Sequence, residues 1–353
     1  MNTAENKNLV LAMVLMLAVW LGFSFFFPPQ KEQQPESVQS TPVVASQVQE
    51  ETIVTEKVAE VETLPVAGET PVSMAVQTST PAREITVETD KYQAIFTTEG
   101  ARLISFKLKE YMETAAKDSA PVQMYETGPL RYSTLRTTGA EGFGLSENAR
   151  FDTATASVVT VNNQDHLEIS FKHVAANGMQ YVKSFKVRGD EYVIDMALEL
   201  SNASQTPLRG TVNLAMVQRW DETLNDDSYS FSGPATLVKD DIDEVDVDDL
   251  KEGAVSYGSD FTWTSFQTKY FLSVVVPGSN TVERVQLQRK GDAIENVLES
   301  SYFTLQAGEK RTLDYFIFIG PKEPEQLKAA GHQLEKIVSF GFFNLLAQPL
   351  FWS

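Results

Sequence analysis

The sequence predicts an all-β fold, a large antiparallel sandwich over residues 84–322, with an N-terminal transmembrane helix and a C-terminal α-helix. Three observations carry this expectation. Apolar residues alternate with polar ones at period two through much of residues 84–200, the pattern of strands with one face in a core and the other in solvent. Two runs, Tyr270–Val276 (YFLSVVV) and Leu313–Ile319 (LDYFIFI), are apolar on both faces, as central strands of a sandwich are. No helical pattern alternates with the strands, which argues against a βαβ architecture.

The first element is residues 1–28, a short polar end and an anchor helix. Asn8–Phe27 (NLVLAMVLMLAVWLGFSFFF) carries no charge over 20 residues. At about 1.5 Å per residue it spans roughly 30 Å, the thickness of the hydrocarbon core. The run is longer than the apolar region of a signal peptide and ends in phenylalanines rather than small residues, so it reads as a retained anchor. Trp20, Phe25, Phe26 and Phe27 are its expected membrane-contacting aromatics. Lys7 and Lys31 leave a weak positive-inside signal. The long acidic domain that follows points to a cytoplasmic N-terminus and a domain on the far side of the membrane.

Residues 29–83 form the expected linker. The stretch has no aromatic residue and is interrupted by Pro29, Pro35, Pro42, Pro65, Pro71 and Pro81. Such a composition buries too little apolar surface to offset the entropy of ordering, and reads as a disordered tether.

From Glu84 the strands begin. Ile85, Val87 and Thr89 alternate with polar neighbours, as do Ile104, Phe106 and Leu108 after a turn at Glu99-Gly100. Leu167, Ile169 and Phe171 share a face opposite Glu168, Ser170 and Lys172. After a turn at Gly189-Asp190, Tyr192, Ile194, Met196, Leu198 and Leu200 fall on one face, with Asp195 and Glu199 on the other. Ser201–Leu250 reads as a loop-rich middle. Residues 323–338 predict one packing helix, with Pro324 in its first turn and Leu327, Ala330, Leu334 and Ile337 as its apolar stripe. Residues 339–353 (SFGFFNLLAQPLFWS) are strongly apolar. They read as an interfacial amphipathic segment returning to the membrane, with Phe340, Phe342, Phe343, Leu345, Leu346, Leu350, Phe351 and Trp352 as contacts.

Charge and composition exclude several function classes. Against 29 Lys+Arg stand 48 Asp+Glu, a net charge of -19, which repels nucleic-acid phosphates. There are no cysteines and three histidines, so thiolate chemistry is absent and little material exists for a histidine site. His166 and His173 are seven apart, an odd number, and a continuous strand puts them on opposite faces. His332 lies on the expected C-terminal helix with no visible partner. Asp240, Asp241, Asp243, Glu244, Asp246, Asp248 and Asp249 crowd one ten-residue stretch, which lacks the glycine and terminal glutamate of a calcium loop. A solvated charge run is the plainer reading. Gly139–Gly144 (GAEGFG) has the wrong spacing for a dinucleotide fingerprint, and no Gly-x-Ser-x-Gly elbow occurs. No cofactor and no catalytic residue follow from these patterns.

Several stretches together resemble the YidC-type membrane protein insertases of Gram-negative bacteria, in their N-terminal portion. NKNLVLAMVLMLAVWLGF is similar to that family's first transmembrane helix. ITVETDKYQAIFTTEGARLISFKLKEY, YVKSFKVRGDEYVIDMALELSN and WTSFQTKYFLSVVVP resemble strands of its periplasmic domain. LQAGEKRTLDYFIFIGPKEPEQL with FGFFNLLAQPLFWS resembles the end of that domain and the interfacial helix before the second membrane helix. The resemblance implies a β-supersandwich similar to galactose mutarotases, in the periplasm and held to the inner membrane. It implies a role in inserting and folding membrane proteins rather than in changing bonds. The implied partners are nascent membrane proteins, the Sec translocon with its accessory subunits, and the lipid bilayer. The family's hydrophilic groove lies in a later five-helix core, which would begin just after Ser353. A partner surface is expected on the acidic stretch Asp240–Asp249. The competing reading is a membrane-tethered sugar-binding or mutarotase-like protein. Those enzymes rely on paired histidines and an acid, which three scattered histidines supply poorly.

Overall fold

The computed structural model describes residues 81–222, 230–279 and 281–338. The anchor, most of the linker and the terminal apolar segment lie outside the described residues, and with them Trp20, Phe25, Phe26, Phe27, Phe340, Phe342, Phe343, Leu345, Leu346, Leu350, Phe351 and Trp352. Among the described residues, no helix is long and apolar enough to cross a membrane.

The described strands run in chain order: β1 Glu84–Glu88, β2 Tyr92–Thr97, β3 Arg102–Met112, β4 Pro121–Tyr125, β5 Arg136–Gly139, β6 Val158–Thr160, β7 His166–Val174, β8 Met179–Arg188, β9 Val193–Asn202, β10 Leu208–Gly210, β11 Val212–Arg219 and β12 Gly233–Val238. They continue with β13 Asp241–Glu244, β14 Val255–Tyr257, β15 Phe261–Gln267, β16 Phe271–Pro277, β17 Arg284–Lys290, β18 Ala293–Glu299, β19 Phe303–Leu305 and β20 Lys310–Pro321. The order β13-β12-β15-β16-β20-β9-β8-β7 makes an eight-stranded sheet; β4-β3-β2-β1-β6 and β14-β17-β18-β11-β5 make two five-stranded ones; β10 and β19 form a ribbon. Pairing is antiparallel except between β1 and β6.

The eight-stranded sheet is the base on which both smaller sheets rest. Register explains its inner face. Leu313, Leu198, Lys183 and Phe171 stand directly across four successive strands, and Tyr315, Met196, Phe185 and Ile169 form the next row. Every one of these side chains is buried. Phe96 of β2 packs onto the rows, its ring 4.7 Å from Phe185 and 6.4 Å from Phe171. At the other half of the base, Trp220 meets Phe266 edge-on at 6.1 Å, and the Asn296 amide of β18 donates to Thr264 Oγ1 of β15 at 2.7 Å. Burying side chains such as Phe185 contributes about 1.5–3 kcal/mol each, and truncating one to alanine costs about 3–5 kcal/mol.

The strands expected from alternation are present. The doubly apolar runs become β16 and β20, which pair with each other at the middle of the eight-stranded sheet. Tyr270 itself falls in the turn before β16 and is exposed. Two expectations are corrected. Ser201–Leu250 is not loop-rich: it contains the end of β9 and all of β10 to β13. β10 is short, β13 is acidic, and β11 is buried on both faces at its centre, so they show no clean alternation, and pairing with strands such as β12, β18 and β19 supplies what local pattern does not. The expected helix over 323–338 is two pieces, an α-helix Pro324–Ala330 and a 3-10 turn Leu334–Val338. The break sits at Gly331, His332 and Gln333, all with positive φ. His332 therefore lies off the helix, its ring 4.4 Å from that of Phe316 on the outer face of β20. Leu327 and Leu334 are fully buried on either side of the break.

The glycine-rich loop Gly139–Gly144 serves close packing. A Cβ on Gly210 would lie 2.2 Å from the Ala140 carbonyl, and one on Gly142 would lie 2.7 Å from the Arg209 carbonyl. Only hydrogen side chains allow this loop to lie against β10.

Candidate interaction site

A cleft opens where the two five-stranded sheets meet over the base. Strand β4 gives Val122 and Met124, the base gives Phe266, Phe271 and Ser273, and β11 gives Gln218. The cavity holds about 370 Å³. It continues past Gln123, Met124 and Gln218 into a second depression of about 290 Å³ that ends on Tyr132, Arg219 and Asp221. The first end mixes the apolar Val122, Met124, Phe266 and Phe271 with Thr268, Lys269 and Ser273, and the second end carries charge. Exposed Tyr270 stands at the apolar mouth.

The frame of this cleft is held by buried polar groups. Gln123 donates to Ser105 Oγ at 2.9 Å and to the Tyr125 carbonyl at 2.7 Å, fixing β4 on β3. Arg102, almost wholly buried, donates to the carbonyls of Glu99, Leu130 and Glu147, to Ser133 Oγ and to Asn148 Oδ1. One guanidinium therefore ties three loops together, using the five donors of its fork. Arg136 and Glu295 pair at 2.5 Å, with the Glu295 side chain 3% exposed, and Lys290 closes the pair at 2.8 Å. Burial pushes the Glu295 carboxyl upward, but the hydrogen bonds from Lys290 and Arg136 outweigh it and hold the carboxyl below its ordinary value. Such a cleft can receive an extended or apolar chain segment by shape and contact.

The acidic stretch lies elsewhere, at the edge of the base. Asp241–Glu244 is the edge strand β13, paired only with β12. Val245, Val247 and Leu250 are buried and pin the stretch to the core, so its carboxylates point outward. Several are already engaged. Asp240 accepts from Lys336 Nζ at 2.9 Å, and Asp243 accepts from the Tyr257 hydroxyl at 2.8 Å. Asp246 accepts from the Asp248 backbone N–H at 2.8 Å. Asp248 pairs with Lys251 at 2.6 Å and lies 3.7 Å from Arg289; the bond from Lys251 holds its carboxyl below its ordinary value. Lys322, pushed down to about 8 by burial, feels the opposing pull of Glu244. Charged side chains on a short edge strand also block unwanted edge-to-edge pairing.

The three histidines do not converge. His166 begins β7, opposite Arg188, and is exposed. His173 sits near the other end of β7, its Nδ1 2.8 Å from the Arg150 carbonyl and its ring beside Phe151 and Tyr181. Among the described residues, no group of three or more His, Asp or Glu is placed to hold a metal ion. The cleft itself was not foreseen from sequence. Its walls come from three separate parts of the chain, β4, β11 and the β15–β16 hairpin, and no local pattern marks them.

Comparison with known proteins places these features. Residues 84–353 match the family model described as the YidC periplasmic domain. A membrane protein insertase YidC from Geotalea uraniireducens is 30% identical over 346 residues, 98% of this chain and 63% of that protein. Another from Geobacter sp. strain M21 is 31% identical over 275 residues, 77% of this chain and 51% of that protein. The chain thus spans less than two thirds of the length of these relatives. Similar solved structures include a galactose mutarotase related enzyme from Lactobacillus acidophilus, at 10% identity, covering 67% of this chain and 97% of that one, with a TM-score of 0.43. A galactose mutarotase-like protein from Lactobacillus casei is 12% identical, covering 67% and 99%, with a TM-score of 0.44.

Proposed function

The chain belongs to the YidC periplasmic domain family, and from that premise we propose that it is the anchor and periplasmic portion of a bacterial membrane protein insertase. In this reading the N-terminus is cytoplasmic, Asn8–Phe27 crosses the inner membrane, and the β domain stands in the periplasm. The domain assists nascent membrane proteins as they enter and fold, alone or with the Sec translocon, and is not an enzyme. The cleft beside β4 receives extended apolar segments of those clients. The acidic stretch Asp240–Asp249 is the proposed contact for accessory subunits of the translocon.

The observation that carries this reading is the family match over 84–353, which takes in the whole described β domain. The names of the relatives, membrane protein insertases, supply the activity proposed. The test is supply of these 353 residues to cells depleted of the intact insertase. Insertion of client proteins stays defective, because the proposed role is accessory to the membrane core. Full rescue would place the insertion step in this portion and overturn the assignment.

A further inference from the structure

The C-terminal piece of the described chain carries two conflicting instructions. Its sequence has helical spacing throughout: Leu327, Ala330, Leu334 and Ile337 recur at three, four and three residues, with good helix formers around them. Its backbone nonetheless breaks. Gly331 lies at φ 77, ψ -147, a region open essentially to glycine alone. His332 at φ 53 and Gln333 at φ 61 follow it into the left-handed region. Nowhere else among the described residues do two successive non-glycine residues take positive φ.

Such conformations persist only where surroundings impose them. Here the holding contacts are identifiable. The His332 ring packs on Phe316, Leu334 is fully buried, and Lys336 is bound to both the carboxylate and the carbonyl of Asp240. At the near end, the Tyr111 hydroxyl donates to Glu323, and the Lys322 N–H donates to the Tyr270 carbonyl at 2.8 Å. Beyond the break the segment is held by buried Leu334, by the partly buried Ile337 and Val338 that pack against the core, and by the Lys336–Asp240 ion pair, whereas the near end continues from β20.

We propose that Pro324–Val338 is a two-state hinge, a broken form docked on β20 and a continuous helix that releases His332 and Lys336 from the β domain. In the continuous form residues 331–333 return to right-handed backbone and the apolar stripe is unbroken. Straightening moves Leu334–Val338 relative to β20. The inference concerns this segment alone and does not depend on the insertase reading.

The full chain has no cysteine, so a spin-label pair can be placed at Glu325→Cys and Glu335→Cys, both exposed, and read by electron paramagnetic resonance. A continuous helix separates these Cα atoms by about 15 Å, ten residues at about 1.5 Å each. A Cβ on Gly331 meets nothing within 4 Å, so Gly331→Ala acts on backbone conformation rather than packing. It shifts the distance distribution toward the continuous-helix value. Gln333→Gly removes a left-handed penalty and shifts the equilibrium the other way by about five- to thirtyfold, which depletes the continuous-helix component of the distance distribution by that factor. This second variant tests the hinge even if Gly331→Ala folds poorly. One unchanged distribution in all three chains, or a continuous-helix component in Gln333→Gly equal to that of the native chain, would overturn the proposal.

Discussion

Replacing Lys183 with methionine tests how the inner face of the base tolerates a lysine in an apolar row. Lys183 stands between Leu198 and Phe171 in register, is fully buried, and donates from Nζ to the Leu135 carbonyl at 2.5 Å. Its other close neighbour is the ring of Phe185, at 5.4 Å. Burial, with Arg102 repelling the charge, holds its pKa well below the ordinary lysine value of 10.5. The sign follows. Where the folded pKa is depressed, the unfolded chain binds a proton that the folded chain refuses, so stability is fully present above pH 10.5. It is lost as pH falls, down to the folded pKa, below which the deficit is constant. Within that window one proton corresponds to about 1.4 kcal/mol per pH unit. Methionine keeps the unbranched stem and removes the titration. It also leaves the Leu135 carbonyl without its donor, a pH-independent cost of about 1–3 kcal/mol. Urea unfolding of both chains in a pH series rising toward the ordinary lysine value of 10.5 gives the difference directly. The stability of the native chain should rise relative to Lys183→Met as pH increases. Parallel pH profiles would mean that Lys183 keeps its proton in the fold, and the account of the buried amine would fail.

Two further outcomes follow from the polar frame and the edge. Glu295→Gln removes one of two carboxylates beside Arg136, the other being Glu147 at 3.4 Å, and should lower stability by about 1.5–3 kcal/mol in denaturant unfolding, the worth of a hydrogen bond to a charged group; because the Glu295 carboxyl sits below its ordinary value, its contribution is present above the unfolded carboxyl pKa and disappears as pH falls through the folded one. Reversing the charges of Asp240, Asp241, Asp243, Glu244, Asp246, Asp248 and Asp249 should reduce copurification of translocon accessory subunits while leaving the circular dichroism of the β domain in place, and unchanged copurification would remove the acidic edge from the proposed interface.

Much of the sandwich was legible in the sequence because its long strands obey alternation. The rows of β7 and β9 and the doubly apolar β16 and β20 needed only period and hydropathy. The middle of the chain was not legible. β10 is three residues long and β13 is mostly carboxylates, so both take their conformation from pairing rather than from propensity. Lys183 is opaque for a similar reason: charge predicts an exposed face, while register places it inward. The broken C-terminal segment reads as a helix because its apolar spacing is helical, and only the docking of His332 on Phe316 reveals why the backbone turns. The cleft had no sequence signal, since Met124, Gln218 and Phe271 meet only through topology.

The central claim is that this domain meets client chains in the cleft beside β4. A photoreactive residue at Met124, inside the cleft, compared with one at Glu309, in the exposed turn before β20, tests it in an intact insertase carrying this chain during synthesis of a membrane protein. Adducts to the nascent chain should form from Met124 and be much weaker from Glu309. Insertion proceeding with no adduct at Met124, or with equal adducts at both positions, would contradict the account.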